Sequence, residues 1–109
     1  MHELALMGRV VAAVESRVRP ARVARVRIQI GKLAGVLPET VQFCFAICTR
    51  GTALDGAELE IDELRGRGLC RRCGADVTME TFVDPCPCGS LEIDVVGGKE
   101  LRIETVEVQ

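Results

Sequence analysis

The chain has 109 residues, with 14 basic and 16 acidic side chains and a formal net charge of −2. This length fits one domain, or one domain with a small appendage, and hides only about two-thirds of the unfolded surface on folding. A large enclosed cavity for an organic substrate is therefore not expected. Charges of both signs are interspersed and no basic run lies beside aromatic residues, which argues against a dedicated nucleic-acid surface.

The sequence also argues against a membrane-spanning or secreted protein. The longest stretch without charge or proline, around residues 40–49, is about half the length of a membrane span. No basic region precedes the first apolar residues, as it would in a signal peptide. We therefore expect a cytoplasmic protein, in which six cysteines favour metal ligation or buried thiols over disulfides.

Hydrophobic periodicity predicts five elements, in chain order a helix over residues 4–18, a strand over 23–31, a helix over 39–50, and strands over 57–64 and 100–108. The helices repeat apolar residues every three or four positions, and the first is expected to end before Pro20. The strands alternate apolar and charged residues. The pattern predicts an α+β fold in which two helices pack on a three-stranded sheet.

A segment of different composition, residues 65–96, lies between the last two predicted strands. Together with the following Gly97 and Gly98 it holds six of the eleven glycines, and it holds four of the six cysteines. It is predicted to be an inserted zinc-ribbon-like module of short β-hairpins, with hinges at Gly66 to Gly68 and at Gly97 and Gly98. The first domain would then be discontinuous and comprise residues 1–64 and 97–109.

Two cysteine pairs in this module carry the clearest chemical signal. Cys70 and Cys73 form one pair, Cys86 and Cys88 form the other, and twelve residues separate the pairs. Two such pairs on separate turns supply the four thiolates of a tetrahedral zinc site. Because four thiolates leave no open coordination position, the zinc is expected to be structural and to supply folding energy to a module with few large apolar residues.

The cysteines leave other interpretations open. A dithiol redox protein would need only the pair of Cys70 and Cys73. The second pair, Cys86-Pro-Cys88, is one residue shorter than the usual knuckle. Cys44 and Cys48 stand four residues apart on the second predicted helix, where small apolar thiols are expected to fill the core.

The only histidine is His2, directly after the N-terminal residue. A free α-amine on Met1, the backbone nitrogens of His2 and Glu3, and the imidazole ring can offer four nitrogens in one plane. This geometry favours Ni(II) or Cu(II) over zinc, and the spacing does not distinguish those two metals.

These features together resemble the HypA/HybF family of hydrogenase nickel-insertion accessory proteins. The resemblance rests on Met1-His2-Glu3, the segment IQIGKLAGVLPETVQFCF, the two cysteine pairs with CGS after the second, and the ending LRIETVEV. It implies a metallochaperone, not an enzyme, that carries Ni(II) to the large subunit of [NiFe]-hydrogenase with a maturation GTPase of the HypB type. It also implies nickel ligation by Met1, His2 and Glu3, and structural Zn(II) held by Cys70, Cys73, Cys86 and Cys88.

Two positions depart from the family pattern. The second zinc pair is CPC where the family usually has CxxC, and Leu37 stands where an acidic residue often precedes the proline of the second helix. Glu39 lies close enough in sequence to substitute for that acidic residue. A function of another class, a zinc-ribbon module that binds protein or nucleic acid without nickel, remains the alternative.

Overall fold

A computed structural model describes residues 2–109 of the chain. Along these residues the elements are α1 (His2–Val18), β1 (Val23–Gly31), a short 3-10 turn (Lys32–Ala34), α2 (Pro38–Cys48), β2 (Glu58–Leu64), β3 (Gly66–Cys70), β4 (Asp76–Met79), β5 (Ile93–Gly97) and β6 (Leu101–Val108). No helix among them is long and apolar enough to cross a membrane. The predicted α+β class is confirmed, with both helices and all three strands of the first sheet at or within two residues of their expected bounds.

The chain forms two compact units. The first contains residues 1–28, 36–62 and 102–109, and the second contains residues 29–35 and 63–101. The end of β1 and the 3-10 turn thus belong to the second unit, whereas the sequence analysis assigned them to the first domain.

The first unit has a sheet of order β2-β1-β6 and the two α-helices. Its core is built mainly from valine and isoleucine on both the helices and the strands; the buried residues include Met7, Val10, Val11, Val14, Val23, Val26, Ile28, Val41, Phe45, Leu54 and Leu59. Of the apolar positions on the predicted helices, Leu4, Phe43 and Ile47 are exposed instead. Full burial of each large aliphatic side chain contributes about 1.5–3 kcal/mol. The core contacts of α1 begin at Met7, in its second turn.

Charged side chains cover the other face of this sheet. Arg25 contacts Glu58, Glu60 and Glu107 at 3.2–3.5 Å, and Arg27 contacts Glu60 at 2.7 Å. The hydrogen bond from Arg27 lowers the pKa of the Glu60 carboxyl. All of these side chains are exposed to solvent, so the pairs contribute little stability individually and serve mainly to keep this face polar.

The second unit contains an antiparallel sheet of order β4-β3-β5. One face of this sheet packs on the 3-10 turn in a small core, which consists of Leu33, Cys70, Val77, Met79 and Cys86 with Ile93 and Val95 at its margin. Two cysteines are therefore part of the core itself. A core of this size gives limited stability without a further crosslink.

The glycines that were expected to be hinges allow close packing of the backbone. Gly66 and Gly68 lie inside β3, and Gly66 is buried against the side chain of Leu33. Gly31 packs directly against the carbonyl group of Gly98, which has a φ of 91° that favours glycine. Close backbone packing therefore accounts for glycine at Gly66, Gly68 and Gly98, and their role as hinges stays a prediction.

This packing gives a test of the second unit. A Cβ atom added at Gly31 would overlap the Gly98 carbonyl, although the φ of −71° and ψ of 140° at Gly31 suit any residue. We expect Gly31→Ala to destabilise the protein by about 3 kcal/mol through overpacking. Gly8→Ala is the matched control, because no atom lies within 4 Å of the added Cβ in α1, and it should stabilise the protein by up to about 1 kcal/mol. Thermal unfolding followed by circular dichroism measures both changes, and equal melting temperatures for the two variants would contradict this account.

Candidate metal centres

The four cysteines of the second unit lie together. Their sulfur atoms are all within 4.8 Å of one another, and the four residues are Cys70, Cys73, Cys86 and Cys88. The sulfurs of Cys70 and Cys88 are 3.8 Å apart and those of Cys73 and Cys86 are 3.5 Å apart, too far for disulfide bonds. The contacts cross between the two sequence pairs, so the group is one cluster and not two separate dithiols.

Local backbone structure presents each pair of sulfurs. Cys70 ends β3, and the chain then turns so that the Gly74 amide donates to the Cys70 carbonyl at 2.9 Å. The second pair makes a similar turn, in which the Gly89 amide donates to the Cys86 carbonyl at 2.8 Å. Gly74 and Gly89 have φ values of 78° and 95°, which explains why glycine follows each pair. Each turn is therefore a knuckle that directs two sulfurs to one point.

The donor set and its spacing fit zinc. A tetrahedral zinc ion with sulfur ligands at about 2.3 Å separates neighbouring sulfurs by about 3.8 Å, close to the 3.5 and 3.8 Å observed between the pairs. The shorter spacing of Cys86-Pro-Cys88 does not keep the Cys88 sulfur away from the cluster. Cys70 and Cys86 are buried and Cys73 and Cys88 are exposed, so the cluster lies at the edge of the small core.

The thiols of the cluster differ in acidity. The amide of Cys73 donates to the Cys70 sulfur at 3.5 Å and lowers the pKa of that thiol to about 6. At Cys86 the amide of Cys88 acts in the same direction, but burial and the neighbouring thiols prevail and raise the pKa to about 12. Four thiolates repel one another at these distances, and a divalent cation removes that repulsion.

The other two cysteines lie on α2 and not in the cluster. Cys44 is buried in the core of the first unit, as the core-filling interpretation predicted. Cys48 is half-buried, and its thiol lies 3.8 Å from the carbonyl oxygen of Leu4 in the first turns of α1. Both are packing residues with free thiols.

The other candidate centre is at the start of α1. The imidazole-bearing His2 is the first residue of this helix and is exposed, and Glu3 follows in the first turn. Met1, the third residue expected to bind nickel, lies outside the described residues. The structure therefore gives the surroundings of two of the three predicted nickel ligands.

The Glu3 carboxylate connects the two helices of the first unit. It accepts a hydrogen bond from the Leu37 amide, 3.4 Å away at the N-terminal end of α2. The pKa of the Glu3 carboxyl is lowered chiefly by a hydrogen bond from its own backbone amide and, to a smaller extent, by the one from the Leu37 amide. Leu37 supplies no side-chain cap to α2. Glu39 lies in the first turn of α2, but the carboxylate that accepts from the Leu37 amide is that of Glu3, a long-range contact that the sequence did not reveal.

A third polar feature precedes Cys86. The Asp84 carboxylate accepts hydrogen bonds from the Glu80 amide at 2.7 Å and from the Thr81 amide and hydroxyl at 3.3 and 2.8 Å. The pKa of the Asp84 carboxyl is lowered most by the hydrogen bond from the Glu80 amide and less by those from Thr81. The bonded turn fixes the path of the chain from β4 to the second knuckle. In the sequence, only the three-residue spacing of Thr81 and Asp84 indicates this turn.

Comparison with known proteins decides the family. A family model described as hydrogenase/urease nickel incorporation, metallochaperone, hypA matches residues 1–108 of the chain. The chain belongs to the HypA family. The resemblance found in the sequence is thereby confirmed.

Relatives match along the entire chain. A hydrogenase maturation factor HypA from Nostoc sp. is 45% identical over 109 residues, which cover 100% of this chain and 96% of that protein. A hydrogenase maturation factor HypA from Geobacter sulfurreducens is 44% identical over 110 residues, which cover 100% of this chain and 100% of that protein. The solution structure of the Ni metallochaperone HypA from Helicobacter pylori superposes with a TM-score of 0.68 at 19% identity, over 97% of this chain and 96% of that one. At that identity the superposition shows a shared fold.

The turn before Cys86 provides a test of how the second knuckle is held. In Asp84→Ala the amides of Glu80 and Thr81 lose their acceptor, so we expect their hydrogen exchange to accelerate by at least about tenfold. Asp76→Ala is the control, because it removes an aspartate carboxylate of the same unit whose ion pair is with the Arg67 guanidinium, at 3.8 Å. Unchanged exchange at Glu80 and Thr81 in Asp84→Ala would show that the carboxylate does not order this turn.

Proposed function

We propose that this protein carries Ni(II) for the maturation of [NiFe]-hydrogenase. The ion would be held at the N-terminus by the amine of Met1, the backbone nitrogens of His2 and Glu3, and the His2 ring. A structural Zn(II) would be held by Cys70, Cys73, Cys86 and Cys88. The observation that carries the proposal is the match of the whole chain to a nickel-incorporation family, together with an exposed histidine at the first position of α1.

The helical position of His2 supports ligation by backbone nitrogen. The first four amide groups of an α-helix have no acceptor within the helix, and α1 begins at His2. The amides of His2 and Glu3 are therefore outside the hydrogen-bond ladder of α1. The Glu3 amide donates to its own carboxylate, and a metal ion that displaces its proton would break this local contact.

The arrangement suits a carrier better than a storage site. Four nitrogens in one plane match the tetragonal preference of Ni(II), and the exposure of His2 leaves the faces of such a plane accessible. An acceptor protein can then bind the ion before all donors have left. Because the nitrogen donors must lose protons to bind, the affinity for nickel is expected to fall as the pH falls.

The zinc ion would have a structural role in the second unit. Four thiolates complete a tetrahedral shell and leave no position for a substrate. Cys70 and Cys86 are also core residues, so a metal bound to them would crosslink β3, the two knuckles and the small core. In such small modules the energy of zinc binding is folding energy.

Partners of two kinds follow from this function. The sequence has no GxxxxGK[ST] phosphate loop, which agrees with a separate GTPase of the HypB type. The recipient of nickel would be the hydrogenase large subunit, in the cytoplasm. The family description also includes urease, and a role in urease maturation is a variant of the same carrier function.

Nickel titration tests the N-terminal site. For untagged wild-type protein we expect one tightly bound Ni(II), and for His2→Ala a loss of affinity of at least ~100-fold, or about 2.8 kcal/mol. Glu3→Gln is the matched control, since it alters the neighbouring side chain and keeps every proposed donor atom. Isothermal titration calorimetry on zinc-loaded proteins measures both. Equal affinities of His2→Ala and wild type would reject the site and favour the alternative of a zinc-ribbon binding module.

Metal analysis tests the cysteine site. Cys73→Ser should reduce zinc affinity by more than the roughly 100-fold that loss of an outer-shell partner costs, and should reduce ordered structure in residues 63–101. Cys48→Ser, which changes a half-buried thiol outside the cluster, should retain one zinc per chain. Zinc content after dialysis against a chelator distinguishes the two. Retention of full zinc by Cys73→Ser would contradict the assignment, whereas nickel binding by that variant would leave the N-terminal site standing.

A further inference from the structure

The outer face of α2 is open to solvent. Val41, Cys44 and Phe45 are buried on the other side of this helix. Residues three, four, seven or eleven positions apart lie on one face of an α-helix. The six side chains that share the outer face by this spacing are all exposed, and they are Glu39, Gln42, Phe43, Ala46, Ile47 and Arg50. We call this face, which is about three turns long, the α2 stripe.

The centre of the α2 stripe is apolar. Phe43 is 68% exposed and Ile47, one turn later on the same side, is 39% exposed. Neighbouring apolar side chains that are exposed and rimmed by polar groups mark interaction sites. Ala46 lies beside them and lines an open groove of about 390 Å³ between α2 and β2. The small side chain and the groove leave room for another helix to approach closely.

The two ends of the α2 stripe carry opposite charges. Glu39 lies in the first turn of α2, and Arg50 follows the C-cap Thr49, whose dihedral angles are still helical. Among the residues that the structure describes, neither charge has an ion-pair or hydrogen-bond partner. Eleven residues of helix separate them by about 16 Å, too far to pair within one chain. Both charges are therefore available to another molecule.

We propose that a second copy of this chain packs on the α2 stripe, with the two helices antiparallel about a twofold axis level with Cys44 and Phe45. Positions at equal distances from such an axis face each other. The facing pairs in this arrangement are Glu39 with Arg50, Phe43 with Ile47, and Gln42 with Ala46, and each occurs twice.

The charge pattern selects this arrangement and this occupant. Parallel helices would place each Glu39 beside its own copy and each Arg50 beside its own copy. An antiparallel pair shifted by one turn, with Phe43 opposite its own copy, would leave Arg50 without a partner. Because the reversed α2 stripe complements itself in both charge and apolar character, a second copy fits it better than an unrelated helix.

The existing contacts of α2 are compatible with this dimer. The Gln42 amide group donates to the Leu59 carbonyl at 2.7 Å, and the small Ala46 of the second copy does not compete for that bond. Two helices of this length bury less surface than the standard interface of a stable complex. The ion pairs lie at the exposed ends and add little. We therefore expect a monomer at low micromolar concentration and a growing fraction of dimer toward millimolar concentration.

Removal of the central aromatic ring tests the surface by sedimentation equilibrium of zinc-loaded, full-length protein. Aromatic side chains at the centre of an interface carry much of the binding energy, so Phe43→Ser should dimerise at least about tenfold more weakly than wild type. Phe82→Ser is the matched control, since Phe82 is 58% exposed and belongs to the second unit, and it should dimerise like wild type. Equal association of Phe43→Ser and wild type would overturn the proposal.

Charge reversal tests the antiparallel register. Glu39→Arg and Arg50→Glu each place like charges opposite one another twice, so each should weaken association at least about threefold. An equimolar mixture of the two variants faces opposite charges at both ends and should recover wild-type association.

The mixture also separates loss of pairing from loss of folding, because recovery requires both variants to be folded. Circular dichroism of each variant should be unchanged, since both side chains are exposed. A wild-type protein that stays monomeric at millimolar concentration would overturn the proposal. A mixture that associates no better than the single variants would overturn it too, because the charges would then not face each other.

Discussion

The second unit depends on four sulfur atoms that must occupy a volume less than 5 Å across, and Cys70 and Cys86 are at the same time part of its core. Without a cation the thiols of the cluster differ in protonation. The pKa of one thiol is lowered, whereas the pKa of another, buried among its neighbours, is raised. A tetrahedral zinc ion would satisfy all four at the observed spacing. The tight glycine contacts nearby, at Gly31, Gly66 and Gly98, bring the surrounding backbone segments as close as the small core requires.

In the proposed nickel site, the first unit would present a few nitrogen atoms without enclosing them. The core of α1 and the sheet anchors the helix, and the helix begins at His2, so that its first amides have no acceptors within the helix. Glu3 then links this end of α1 to the beginning of α2 through the Leu37 amide. His2 is exposed to solvent at the start of a helix that core residues anchor from Met7 onward.

Local patterns in the sequence predicted much of this structure. The helices and strands of the first sheet followed from periodicity, and the four clustered cysteines followed from their spacing and the glycine after each pair. What could not be predicted depends on contacts between distant residues. Gly66 and Gly98 were expected to be flexible, because the sequence does not show which backbone lies against a glycine. The assignment of residues 29–35 to the second unit depends on Leu33, which packs against side chains more than thirty residues away. The Glu3 contact with Leu37 is of the same kind.

The two proposed metal centres would be chemically distinct, with nitrogen donors at the N-terminus and sulfur donors in the second unit. X-ray absorption at the nickel and zinc edges of untagged wild-type protein loaded with both metals tests this division most directly. We expect four sulfurs at about 2.3 Å around one zinc per chain, and a planar nickel shell of nitrogen donors without sulfur. Sulfur in the nickel shell, or fewer than four sulfurs around zinc, would contradict it.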